Sequence, residues 1–271
     1  MDKTFIFCLF SIVIVVSVSS CASDEMKTQT KSYSTEIYLN GDSTKGVFKI
    51  DMNVELPTRY RNEKILNNIK CNLLTILFGG EYVDVPEDTI LELFAIELGV
   101  DYMNNNIAAL RRLSDKSSYK FDAYFSYKGE TLPSNRNIYS YCLTQHSFDG
   151  GAHESSSRFL FNFSLTDGSL IAESDIFIDG FEKELTRLIK KRLAEEYEEL
   201  FKNNLNESEF WEDEIHPNGN FYLDQESIDY AFDPSEIAPH YVGDIYVSLP
   251  IELIKHLMNK NELTKSYFFP K

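Results

Sequence analysis

Val47-Phe48-Lys49-Ile50-Asp51-Met52-Asn53-Val54-Glu55-Leu56 alternates apolar and polar residues until Pro57 closes it. Successive side chains of a strand point to opposite faces. Phe48, Ile50, Met52, Val54 and Leu56 therefore predict a buried sheet face, while Lys49, Asp51, Asn53 and Glu55 meet water. A half-wet strand needs neighbours beside it and a layer over its dry side. The following residues supply that layer: Ile65, Ile69, Leu73, Ile76 and Leu77 recur at helical spacing, on a helix that also carries Cys71. Pro86-Glu87-Asp88-Thr89 opens a second helical region with Leu91, Phe94, Ala95 and Leu98 on one face. Gly99 is expected to break or bend it before Tyr102 to Leu113 resume.

Strand signals then dominate. Tyr119, Phe121, Ala123, Phe125 and Tyr127 alternate with polar neighbours, Asn137 to His146 predicts another strand, and Arg158 to Leu165 a third. Asp167-Gly168 is a turn signal. A long amphipathic helix is expected from about Gly180 to Asn203, with Phe181, Leu185, Leu188, Ile189 and Leu193 inward. Two short strands follow, at Phe221–Leu223 and Ser227–Phe232. After the rigid Pro234 to Pro239 corner comes a strand through Ile245, Val247 and Leu249, then a short helix opened by Pro250. The order β-α-α-β-β-β-α-β-β-β-α predicts an α+β fold. Its sheets are antiparallel, with helices packed on one face, in two intimately packed subdomains.

Ahead of this body, Lys3 precedes an apolar run from Phe5 to Val18, and Val18-Ser19-Ser20-Cys21 places small residues before a cysteine. Residues 1–20 read as a secretory signal too short to span a bilayer. The tetrapeptide resembles the bacterial lipobox, which implies cleavage before Cys21 and a lipid on its thiol. The expected location is extracytoplasmic, as an outer-membrane lipoprotein held to the membrane by that lipid. Ala22-Ser23-Asp24-Glu25 resembles the acidic export signal of surface-exposed lipoproteins in the Bacteroidota. Residues 21–34 are polar and non-periodic, and are expected to form a flexible tether. The subdomains are then expected at 35–130 and 131–271.

Composition narrows the partners. With 43% apolar and 14% aromatic residues a real core is available, so the net charge of −17 belongs to a folded surface. That charge disfavours nucleic acid and anionic lipid headgroups, and favours a basic protein partner. Besides Cys8 and Cys21, only Cys71 and Cys142 remain. They could form a disulfide outside the cytoplasm, or be two separate thiols.

Gly150-Gly151-Ala152-His153 is the most motif-like segment. Two glycines permit a sharp excursion between strands, leaving His153 to face solvent or a ligand, or simply to hydrogen-bond locally. His146, Glu154, His216 and His240 are scattered without metal-ligand spacing, so neither a metal nor a cofactor is expected. The connection from Asn203 to Asn220 gathers Glu207, Glu209, Phe210, Trp211, Glu212, Asp213 and Glu214, including the single tryptophan. It could be a recognition loop for a basic partner, or its aromatics could fold back over the core. Tyr241, just beyond the Pro234–Pro239 corner, joins Gly150, Gly151, His153, Phe210, Trp211 and Glu212 as a candidate ligand-binding residue.

The C-terminal half carries a longer signature. Gly150-Gly151-Ala152-His153, Phe161-Asn162-Phe163-Ser164-Leu165 and Ser174-Asp175-Ile176-Phe177 occur in order. Phe221, Tyr230, Phe232, Glu236-Ile237-Ala238-Pro239, Gly243 and Val247-Ser248-Leu249-Pro250 follow. Over about residues 135 to 258 this resembles the extracytoplasmic domain family shared by the anti-sigma factor RsiV and the peptidoglycan deacetylase PdaC. A companion domain like that of PdaC would cover about 35 to 130. Ser235 and Ile251 depart from the family, which often has Tyr there. The resemblance implies an α+β fold without catalysis of its own and, as in RsiV, recognition of C-type lysozyme. With neither a cytoplasmic signalling segment nor a deacetylase domain expected, the sequence points to a non-enzymatic envelope protein that binds lysozyme, another cationic protein, or peptidoglycan. An envelope hydrolase acting on glycan or ester through His153, and a structural accessory subunit, are the alternatives.

Overall fold

The alternating stretch is strand β2 (Val47–Arg59), and its dry residues Ile50, Met52, Val54 and Leu56 are almost fully buried. The computed structural model describes residues 25–113, 119–133, 137–151, 153–198, 200 and 209–269. The signal, Cys21, the first tether residues, Ala152 and Glu207 lie outside the described residues.

β2 is the second strand of a five-stranded sheet, ordered β1 (Lys27–Tyr38), β2, β3 (Ala123–Leu132), β4 (Ile138–Phe148), β5 (Ser155–Ser164). Helices α1 (Glu63–Phe78) and α2 (Glu87–Leu110) lie between β2 and β3 in the chain, and their apolar residues join the buried face of that sheet in one core. The Asn62 side chain starts α1 by accepting from the Lys64 and Ile65 amides at 3.1 and 3.3 Å. Beyond β5 come α3 (Glu173–Ile176), α4 (Glu182–Glu196), β6 (Phe221–Leu223), β7 (Ser227–Phe232), β8 (Ile245–Pro250), α5 (Ile251–Ile254) and α6 (Glu262–Phe268). The antiparallel β6-β7-β8 sheet and α4 enclose a second core through Leu185, Ile189, Leu193, Tyr230 and Val247. The molecule is α+β, as the patterning predicts.

Several expectations change in detail. The sheets are antiparallel except for β2–β3, which is parallel. The two intervening helices form the crossover that a parallel connection requires. The expected tether is mostly strand: β1 pairs with β2 along its whole length. Its only helix-side apolar groups within the strand, Tyr33 and Ile37, are four residues apart, so no alternation is visible. Gly99 does not break α2. A Cβ there would stand 2.3 Å from Ile37 Cδ1, so the glycine lets the helix approach β1. β3 begins at Ala123, leaving Tyr119 and Phe121 before it, and α6 was unanticipated.

The division expected near residue 130 falls inside β3. The two cores instead meet at β4, where Tyr139, Tyr141 and Leu143 join the first and Ile138 the second. The disulfide is also corrected, because Cys71 and Cys142 are both free. Cys71 lies on the exposed side of α1. Cys142 alternates with Tyr141 and Leu143 and so points away from the helices. The sheet itself separates the two thiols.

Two asparagines join the sheets. Asn162, buried on β5, accepts from Ser140 Oγ at 2.9 Å and Leu223 N at 3.2 Å, and donates to Phe221 O at 2.8 Å. Asn220 accepts from Leu160 N and donates to Arg158 O, at 2.8 and 2.7 Å. Asp233 accepts from Arg158 N at 2.8 Å. Over residues 158–160 side chains thus occupy the outer edge of β5, and beyond them the chain folds back, with Ile171 N donating to the Asn162 carbonyl at 2.7 Å and Ser164 N to the Ser169 carbonyl at 2.9 Å.

Candidate functional site

Gly150 has φ +83°, a left-handed conformation that favours glycine, and it turns the chain sharply after β4. Gly151 and His153 are exposed on that excursion. The His153 ring lies 5.5 Å from the ring of His240, which the rigid Glu236-Ile237-Ala238-Pro239 corner delivers from the other core. His240 Nε2 donates to the Glu154 carbonyl at 3.2 Å. Hydrogen bonding to its own carbonyl and to that of Glu154 raises its pKa above the ordinary imidazole value. Of the scattered histidines, only His240 is brought to His153. His146 sits on β4, and His216 contacts the Pro217 carbonyl. Among the described residues, no group of three or more His, Cys, Asp or Glu could hold a metal ion.

The far side of the same corner carries the tryptophan segment. Phe210 and Ile215 are buried at its two ends, 3% and 2% exposed, and Phe210 packs edge-on against Tyr197. Phe210 is therefore a core residue and not a ligand contact. Between these anchors, Glu212–Glu214 form a 3-10 turn whose three carboxylates are exposed. Trp211 is 43% exposed, and its backbone N–H is held by the Ile237 carbonyl at 2.8 Å. Burying both ends of the segment leaves the indole and three acids lifted from the surface.

Tyr241, 73% exposed, donates its hydroxyl to the Glu209 carboxylate. That bond holds the phenol in its neutral form, raising its pKa. Corner residues 239–243 thus connect the two candidate segments, with His153 against His240 and Glu209 against Tyr241. A neighbour that periodicity did not single out is Tyr246, 40% exposed, under the Arg158 guanidinium at 5.4 Å. The surface offers aromatic rings and exposed carboxylates. Among the described residues, the ring neighbour of His153 is His240.

Residues 174–252 match the family model described as "Protein of unknown function (DUF3298)". Two solved structures are similar to the whole fold. A DUF3298 family member from Bacteroides fragilis superposes with a TM-score of 0.81 at 18% identity, covering 91% of this chain and 98% of that one. A DUF3298 family protein from Pseudomonas aeruginosa gives 0.53 at 15% identity, covering 88% and 96%. The search of curated proteins returned no match. At these identities the likeness carries the fold alone.

Proposed function

We propose that this chain is a lipid-anchored, non-enzymatic binding protein of the cell envelope whose partner is a cationic protein of the C-type lysozyme kind. The carrying observation is the segment from Trp211 to Glu214, an exposed indole beside three exposed carboxylates, stapled at both ends by buried Phe210 and Ile215. A partly exposed tryptophan on a fixed backbone anchors an interface with little ordering cost, and the acids draw a basic surface to it. Tyr241 and Glu209 extend the same surface. The net charge of −17 acts in the same direction at long range.

The lipobox-like Val18-Ser19-Ser20-Cys21 supports attachment to the outer membrane through lipid on Cys21. The resemblance of the C-terminal half to the domain shared by RsiV and PdaC supports lysozyme as the partner to test first. The ring neighbour of His153 is another imidazole, which favours binding over hydrolysis. Titrating the purified protein with C-type lysozyme at low and at physiological salt tests the proposal. Binding is expected at both, weaker at the higher salt. No binding at either salt refutes it.

A further inference from the structure

A cleft of about 330 Å³ opens between the C-terminal half of α2 and the adjoining ends of β3 and β4, in the first core and away from the tryptophan segment. Its floor is aromatic, formed by Phe48, Phe121 and Phe125. Asp101 and Asn105 of α2 face Gln145 and Ser147 of β4, with Asp149 just beyond that strand. The volume lies within the range of small-molecule sites, which combine an apolar floor with a few convergent polar groups.

The state of those polar groups is the decisive feature. None of the five makes a side-chain hydrogen bond or ion pair among the described residues, although the neighbouring Asn106 and Tyr102 spend theirs internally, on the Tyr102 and Phe121 carbonyls. Five hydrogen-bonding side chains, with Asp101, Asn105 and Asp149 exposed, therefore line one aromatic-floored space and turn to water rather than to one another.

Their chemistry selects the ligand. The lining contains no Lys, Arg or His, so a phosphate or carboxylate would meet two acids and no cation. A purely apolar ligand would strip water from five polar groups and return nothing. A cationic head would suit Asp101 and Asp149 but leave the carboxamide N–H donors of Asn105 and Gln145 without an acceptor. Hydroxyl groups donate and accept, so a polyhydroxylated ring serves all five groups and lays its C–H face on the aromatic floor. We infer that this cleft is a saccharide-binding subsite. The inference stands on the cleft alone and is independent of the lysozyme reading. Sugar binding without lysozyme binding would refute that reading and leave this one.

Calorimetric titration of the purified protein with a neutral trisaccharide, chitotriose or maltotriose, tests the subsite, with arginine amide as the cationic comparison. Saturable binding of at least one trisaccharide is expected below about 10 mM. In an Asn105→Ala/Gln145→Ala double variant, affinity should fall about tenfold or more while the melting temperature stays unchanged, because neither side chain holds the fold. Backbone amide NMR shifts should concentrate at residues 101–106 and 145–149. Absence of trisaccharide binding at about 10 mM overturns the assignment. So does unaltered affinity in the double variant, or binding of arginine amide alone that Asp101→Asn/Asp149→Asn abolishes. A bead-linked insoluble glycan, tested beside the free trisaccharides, distinguishes polymer recognition from capture of soluble sugar.

Discussion

The two sheets are stabilised in different ways, and the contrast explains why the chain has two cores. The five-stranded sheet is held by strand ladders and by an apolar face pressed against α1 and α2, with Leu73 and Met52 fully buried at its centre. The three-stranded sheet has its own apolar core, but it is fastened to β5 by side chains. Asn162, Asn220 and Asp233 take up backbone groups that a sixth strand would otherwise use. A ladder extends a sheet indefinitely. Asparagine side chains stop it while keeping every partner satisfied, so the second sheet can turn away and bury its own face.

This contrast can be broken at each end. Leu73→Ala, in the ladder-and-core half, should cost about 2 to 5 kcal/mol, read as a lower urea midpoint, because a fully buried leucine leaves a cavity. Asn162→Ala should cost less, about 1 to 3 kcal/mol, by orphaning Leu223 N and Phe221 O. The location of its effect is the sharper test. Hydrogen exchange should accelerate in β6–β8 while the β1–β3 amides keep their protection. Uniform acceleration in both sheets would mean that the seam is not a separable layer.

A smaller effect is expected at Glu173. Its carboxylate accepts from Tyr230 Oη at 2.9 Å and from Gly219 N at 3.2 Å, and burial raises its pKa above 4.5 despite both bonds. A carboxyl with a raised folded pKa binds protons more tightly when folded. Its destabilising contribution is therefore present above that folded pKa and disappears below the unfolded value of about 4.5. Glu173→Gln retains an oxygen for both donors without the charge. It should be slightly more stable than the parent at pH 7 and indistinguishable from it below about pH 4.5 in thermal melts. The smallest effects belong to Cys71→Ser and Trp211→Ala, each expected to shift stability by less than about 0.5 kcal/mol, because both side chains face solvent. For Trp211→Ala the loss should appear in partner affinity instead.

The same contrast decides what could be read from the chain. β2, β6 and β7 were legible because alternation is set by burial of one face, and α1 and α4 because of their helical stripes. β1 was not, since nine of its 12 residues are polar or charged and its order comes from a partner strand. The α2 path through Gly99 depended on an approach to Ile37, a contact with no local trace. Compartment alone leaves Cys71 and Cys142 free to pair or stay apart, and only the sheet lying between them decides it. The site was half visible. Trp211 and its acids stood out by composition, but that Phe210 turns inward follows only from its packing on Tyr197. The meeting of His153 with His240 needed the two cores in place, because those residues are far apart in sequence and joined by a corner whose direction Pro234 and Pro239 alone do not set.

The acidic turn beside Trp211 is the surface proposed to meet a basic partner. Its most direct test is lysozyme affinity after reversing charge at that turn, with Glu212→Lys, Asp213→Lys and Glu214→Lys combined. An equal reversal on the α1–α2 side, Glu81→Lys, Asp84→Lys and Glu92→Lys, matches the net charge. Loss of binding in the first variant and retention in the second is the expected result. Equal affinity in the two variants would contradict the account.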